Sequence, residues 1–105
     1  VAASQHPNKW DIAWAAGFYE AEGHVNKNNS IYASVTQLKL WALERFVDLF
    51  GGRISNETVY KSGRYKGRER ARVWTVTGPR ARGFLMTIHK FLSPRRREQI
   101  KNPMQ

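Results

Sequence analysis

The hydrophobic period of this chain switches between helical and alternating, and those switches restrict what it can fold into. The run WDIAWAAGFYEAE carries alanine, no proline and a stop at Gly23, so it predicts a helix over about Trp10–Glu22. Strict alternation follows. Val25, Ile31, Ala33 and Val35 fall on one parity, while His24, Asn26, Asn28, Ser30, Tyr32, Ser34 and Thr36 fall on the other. With NKNNS as turn chemistry, this reads as a hairpin with one polar face. Helical period returns from Leu38 to Phe50 and ends at Gly51-Gly52. Two further strands, Arg53–Tyr60 and Ala71–Thr77, flank the basic, glycine-containing KSGRYKGRER. Phe84, Leu85, Ile88, Phe91 and Leu92 suggest a third helix, and Pro94 opens a short basic helix through RRREQIK.

The element order is therefore helix, two strands, helix, two strands, helix, with a short helix after it. That is an α+β domain: a four-stranded antiparallel sheet with helices on one face and a polar face left open. Its 105 residues and 41% hydrophobic content suit one packed core and leave no room for a second full domain. Residues 1–9 read as a loose leader, and 10–105 as the single domain.

Charge narrows the partner. Eighteen Lys and Arg against eight Asp and Glu give +10, a field that favours polyanions, nucleic acid first among them. Zero cysteines exclude disulfides, thiolate zinc sites and cysteine nucleophiles, and suit a reducing interior. No stretch has the roughly 20 apolar residues of a membrane span, and residues 1–9 hold no apolar signal core, so the expectation is a soluble intracellular protein of undetermined compartment.

The first helix has an uneven distribution. Ala13, Ala16, Gly17, Glu20 and Ala21 gather on one side, and Ile12, Ala15, Phe18 and Tyr19 on the other. An alanine-rich helix can simply be a good helix, but the small side also invites a second backbone to approach closely. Glu22 sits in the last turn, where the helix end is already negative, so a compensating cation is expected nearby. Glu20 and Glu22 lie about 200° apart around the helix and should have different jobs. If two copies pack through the small side, their Glu22 carboxylates approach each other near the twofold axis. That arrangement suits Mg²⁺, which takes few carboxylates, several waters and phosphate oxygens.

AAGFYEAEG, from Ala15 to Gly23, resembles the signature of the LAGLIDADG homing endonucleases. VTQLKLWALERFVDLFGGRI resembles the family's strand, second helix and glycine pair. VWTVTG and FLMTIHKFLSPRRREQ resemble its last strand and basic closing region, so the likeness runs from about Trp10 to Gln99. A single motif in a short chain resembles the homodimeric members. The resemblance implies a site-specific, Mg²⁺-dependent DNA endonuclease, encoded within an intron or intein, that cuts a long near-palindromic site through a DNA-binding saddle. Glu22 matches the acid that coordinates metal and scissile phosphate. Glu20 matches the acid that serves helix capping and dimer packing. Gln37 matches a polar residue that orders water, and one basic residue, Arg95 or with a one-residue shift Arg96, matches the group that faces the phosphate. Three departures stand out: Ala15 replaces the usual leucine, both acids are glutamates, and Trp41 occupies a place where relatives often present a basic or polar side chain.

On the open strand face, His24, Asn26, Asn28, Ser30, Tyr32, Ser34 and Thr36 are candidates for reading base edges, joined by Arg53, Ser55 and Glu57. Such a face is also often merely solvated. Lys61, Arg64, Lys66, Arg68, Arg70 and Arg72 cluster around one hairpin and, with Arg96, are expected on phosphates. The four tryptophans read as packing residues. No serine-histidine-acid arrangement or phosphate-binding glycine loop is present. The competing readings are a noncleaving DNA-binding regulator and an RNA-binding intron splicing factor on the same fold.

Overall fold

The computed structural model describes residues 7–27, 29–59 and 70–104; at 56–59 and 70 it is the backbone that is described. Helix α1 spans Lys9–Glu22, β1 Gly23–Lys27, β2 Ile31–Gln37, α2 Leu40–Phe50, β3 Arg53–Val59, β4 Arg70–Thr77, α3 Gly78–Ile88 and α4 Pro94–Met104, with a 3-10 turn at His89–Phe91. The strands form one antiparallel sheet in the order β1-β2-β4-β3. The inner strands of the two hairpins pair with each other, which places both hairpin outer strands at the edges.

Local chemistry shifts several expected boundaries. Helix α1 begins before Trp10 because Asn8 and Asp11 form a reciprocal cap: Asp11 N donates to Asn8 Oδ1 at 2.9 Å and Asn8 N donates to Asp11 Oδ2 at 3.0 Å. Asn8 and Lys9 are therefore part of the helix start rather than of a loose leader. Helix α2 begins after Leu38 because Gln37 Oε1 accepts from the backbone N–H of Leu38 at 2.9 Å and Lys39 at 3.3 Å. Helix α3 stops at Ile88, so Phe91 and Leu92 belong to the 3-10 turn and its exit instead of that helix. Helix α4 is longer than RRREQIK, anchored by Ile100 in the core and by Arg82 Nη1 donating to Met104 O at 2.6 Å.

Registers assign the two faces of the sheet. Ala33 pairs with Val25 and Val76, and Val35 pairs with Trp74, so these side chains share the face covered by the helices. They meet Ala15, Ala16 and Tyr19 of α1, Leu43 and Phe46 of α2, and Phe84, Leu85 and Ile88 of α3. Trp74 is fully buried, its ring centroid 4.6 Å from Phe46 and 4.9 Å from Phe84. Its indole N–H donates to Gly51 O at 2.6 Å, which satisfies the ring's polar atom inside the core. The backbone can turn this closely over the tryptophan because Gly51 and Gly52 take φ of 75° and 88°, values that side chains disfavour. The tryptophans divide: Trp10 is 72% and Trp41 59% exposed, so these two are not core residues.

Candidate active site and nucleic-acid interface

The outward side of α1 is narrower than the small side expected. Ala13, Gly17 and Ala21 remain exposed, and a Cβ placed on Gly17 would have no atom within 4 Å. Ala16, only 2% exposed, belongs to the chain's own core and is not available to a partner. Ala15, Ala16 and Tyr19 form the buried stripe with half-buried Ile12 beside it, which leaves the Ala13-Gly17-Ala21 strip facing away from the sheet.

One flank of that strip is an aromatic wall that composition concealed. Trp14 lies 4.9 Å from Phe18 and 6.4 Å from Trp41, and Phe18 meets Trp41 edge-on at 6.4 Å. Arg45 covers Trp14 at 4.2 Å and bonds Asp11 Oδ1 at 3.1 Å, fastening α2 to α1. Phe18 is therefore part of this half-buried wall instead of packing wholly on the sheet. Between the wall and the strip is an open hollow of about 410 Å³, lined by Ala13, Trp14, Gly17, Phe18, Ala21, Glu22 and Gln37.

Glu22 and Gln37, separate in the chain, are thus brought into one hollow where α1 meets the end of β2. Glu22 is exposed, and its carboxylate makes no hydrogen bond or ion pair with the described residues. Gln37 has its oxygen committed to the α2 entrance, which leaves the amide N–H₂ to donate. Arg95 is exposed in the first turn of α4, outside the lining of the hollow.

On the other flank, Glu20 is held within the chain. Its carboxylate accepts from Ser93 N at 2.7 Å and Ser93 Oγ at 2.8 Å, and Ser93 Oγ accepts from Arg96 N at 3.3 Å. Glu20 thereby ties α1 to Ser93, the residue directly before α4, in keeping with the helix-capping role that the resemblance implies for it. The Ser93 hydrogen bonds, with smaller contributions from Arg96 and Arg95, hold the Glu20 carboxyl below the usual carboxylate range. A lowered folded-state pKa adds stability that is present above the ordinary carboxylate pKa and lost as pH falls through the depressed value. The thermal midpoint of the native protein should exceed that of Glu20→Gln at neutral pH, and the gap should close on acidification; a gap that persists in acid would place its origin elsewhere.

Arg96 does not point to solvent as a phosphate contact would. Its Nε donates to Glu20 O at 3.0 Å and its Nη1 to Gly23 O and to Gln99 Oε1, each at 3.0 Å. Here is the cation expected at the negative end of α1. The guanidinium also lies 5.6 Å from the Tyr19 ring. Burial pushes the Tyr19 hydroxyl up to about 12, against the pull of Arg96.

The face away from the helices carries His24 and Asn26 on β1, Tyr32, Ser34 and Thr36 on β2, Thr75 and Thr77 on β4, and Arg53 and Ser55 on β3, all sharing one side by register. Thr75 and Thr77 were indistinct in the sequence because both parities of β4 contain apolar residues. Ser34 is 8% exposed, a floor residue on a central strand between His24 and Thr75 and not a side chain that reaches out. Ser30 lies in the bend before β2 rather than on the strand face. Arg72 has the opposite parity and pairs with Gln37, so it belongs to the helix side. Asn28, Lys61, Arg64, Lys66 and Arg68 lie outside the described residues, as do the side chains of Glu57 and Arg70.

No family model matches the sequence. No curated protein matches it either. Solved structures do. The homing endonuclease I-CvuI in complex with its target aligns at a TM-score of 0.66 and 20% identity, covering 93% of this chain and 68% of that one. The chain has the homing-endonuclease fold. A second I-CvuI complex, with an I-CreI target and 2 mM Mg but uncleaved DNA, aligns at 0.63 and 18%, with the same coverage of 93% and 68%. The group I intron-encoded homing endonuclease I-CeuI complexed with DNA aligns at 0.68 and 18%, covering 96% of this chain and 55% of that one. The homing-endonuclease fold accounts for the sheet order and for helices on one face alone. Among the described residues, no helix is long and apolar enough to cross a membrane.

Proposed function

We propose that the protein is a homodimeric, site-specific double-strand DNA endonuclease that depends on Mg²⁺. The single observation that carries this reading is the Glu22 carboxylate, exposed and without a partner among the described residues, in the hollow beside the Ala13-Gly17-Ala21 strip and next to a polar sheet face. In the solved structures of the same fold, I-CvuI and I-CeuI are bound to DNA.

The donor set fits a hard cation. Among the described residues, no cluster of three His, Cys, Asp or Glu side chains gathers in one chain, so a thiolate or imidazole metal site is not the match. A lone carboxylate suits Mg²⁺, which keeps most of its waters and takes phosphate oxygens as ligands, and a second copy across the small strip supplies a second Glu22. When bound, the metal polarises the scissile phosphate and makes its water a stronger nucleophile. Glu22 holds it at the foot of α1. The Gln37 amide donates to water or to a phosphate oxygen. Arg95, exposed and basic, balances charge that accumulates on the phosphate. Two copies cut two strands.

His24, Asn26, Tyr32 and Thr36 offer hydrogen bonds to base edges, while Arg53, Thr75 and Ser55 extend the same surface toward β3. The phosphate contacts give strong salt dependence. With six or more phosphates neutralised, affinity should fall with a log-log slope of about −5 or steeper, measured by titrating binding across salt concentrations.

Cleavage of a randomised DNA library in Mg²⁺, followed by recovery of the cut sites, tests the reading directly. Enrichment of a near-palindromic site supports it. Binding without cleavage favours a noncleaving regulator, for which Trp41 is the specific pointer: α2 presents that indole, 59% exposed, where a basic group would otherwise assist the phosphate. Preference for folded RNA over DNA would favour a splicing factor.

A further inference from the structure

We propose that Arg96 is a positioning residue that sets the Glu22 carboxylate for metal binding, and so acts on the reaction through the backbone rather than through DNA. This rests on the nuclease reading above.

The two main-chain oxygens that Arg96 binds stand on either side of Glu22. Glu20 O precedes it by two residues, Gly23 O follows it by one, and both accept from the same guanidinium at 3.0 Å. A planar fork that spans both carbonyls fixes the peptide segment carrying the carboxylate, at the point where helix gives way to strand. The opposite side is fixed as well. Any Cβ on Gly23 would run into the Tyr19 ring, so the segment is held between that ring and the Arg96 head. Glu22 itself has no partner among the described residues that could orient it. Its direction therefore follows from the backbone, and the backbone from Arg96.

The same clasp sets the neighbouring cation. Arg96 N is within 3.3 Å of Ser93 Oγ, and Ser93 is held by Glu20, so the first turn of α4 is registered against the last turn of α1. Arg95 is one residue away. One network thus places the carboxylate and the arginine proposed to face the phosphate.

Arg96→Lys keeps the charge but presents a point ammonium that cannot reproduce the fork; Arg96→Met removes the charge. Both are compared with the native chain and with Glu22→Gln in four readings: thermal unfolding, DNA affinity in Ca²⁺, tryptophan-sensitised terbium(III) luminescence of the DNA complex, and the Mg²⁺ dependence of cleavage. Trp14 lines the hollow beside Glu22, which makes it a suitable donor for the luminescence. The expected result is that Arg96→Lys remains folded and binds DNA like the native chain, while terbium affinity falls by about 10-fold or more and the Mg²⁺ midpoint rises in step, the usual size of an outer-partner loss. If Arg96→Met fails to fold, Arg96→Lys alone decides. Terbium affinity unchanged in Arg96→Lys, with Glu22→Gln reducing it, overturns the positioning role and leaves the nuclease reading in place. A Glu22→Gln variant that binds terbium and cleaves like the native chain removes Glu22 from the chemistry and overturns this inference, whereas a native chain that cuts no DNA in Mg²⁺ overturns the nuclease reading itself.

Discussion

Glu22→Gln should abolish DNA cleavage while leaving DNA binding intact. The amide has nearly the shape of the carboxylate and keeps its hydrogen-bonding capacity, but it removes the negative charge that a hard cation needs. Because losing only an outer partner of a metal ligand already costs about 10- to 100-fold, losing the ligand itself should cost more than about 100-fold in single-turnover rate. Folding should be indifferent, since Glu22 is exposed and partnerless among the described residues. DNA affinity should hold or rise slightly, because one negative charge leaves the neighbourhood of the phosphates. Single-turnover cleavage at saturating protein, beside a binding titration in Ca²⁺, separates the two. A cleavage rate within a few-fold of the native one would remove Glu22 from the chemistry.

The second large effect concerns the strip on α1. Gly17→Glu should leave the isolated chain as stable as before or more so, because a Cβ meets no atom within 4 Å and a helix-interior glycine gives up about 0.5 kcal/mol relative to glutamate. Association should fail, since two like charges would face each other where the backbones need to touch. DNA affinity should then drop by at least about 100-fold, the advantage that a second linked half-site contributes. Light scattering should find a 12.2 kDa particle with an undiminished thermal midpoint. If instead the variant cleaves as a dimer, some other face joins the two copies, and the Glu22 carboxylates do not meet beneath α1.

The element order was legible because helix and strand periods are local properties, set by which residues lie three, four or two places apart. The hairpin with one polar face and the second helix that stops at the glycine pair followed from such spacing. Capping is legible in principle: Asn8 and Asp11 stand at the spacing of a reciprocal cap, a weaker signal than the change of composition at Trp10. Gln37 illustrates the other case. Its side chain closes on the next two peptide groups and shortens α2, a local competition that hydrophobic period does not reveal.

The candidate site was readable in part. Glu22 and Gln37 were named from the resemblance, and the fold then brought them into one hollow. Ala16 could not be told from Ala13 by composition, because both are small and lie on neighbouring faces of the same helix; only the packing of α3 and the sheet against α1 made one of them core and left the other exposed. Arg95 and Arg96 were equally ambiguous, being identical side chains in adjacent positions.

The amino-acid order by itself determined the periods, the stops at glycine, the excess of positive charge and the acid at the end of α1, since each depends on residues close in the chain. Only the tertiary structure decided that β2 pairs with β4, that Glu20 serves Ser93, and that Arg96 reaches back across a separation of 76 residues to the carbonyl of Glu20. Such contacts depend on how packed elements bring distant groups within about 3 Å, a distance at which hydrogen bonds form and which no local spacing encodes.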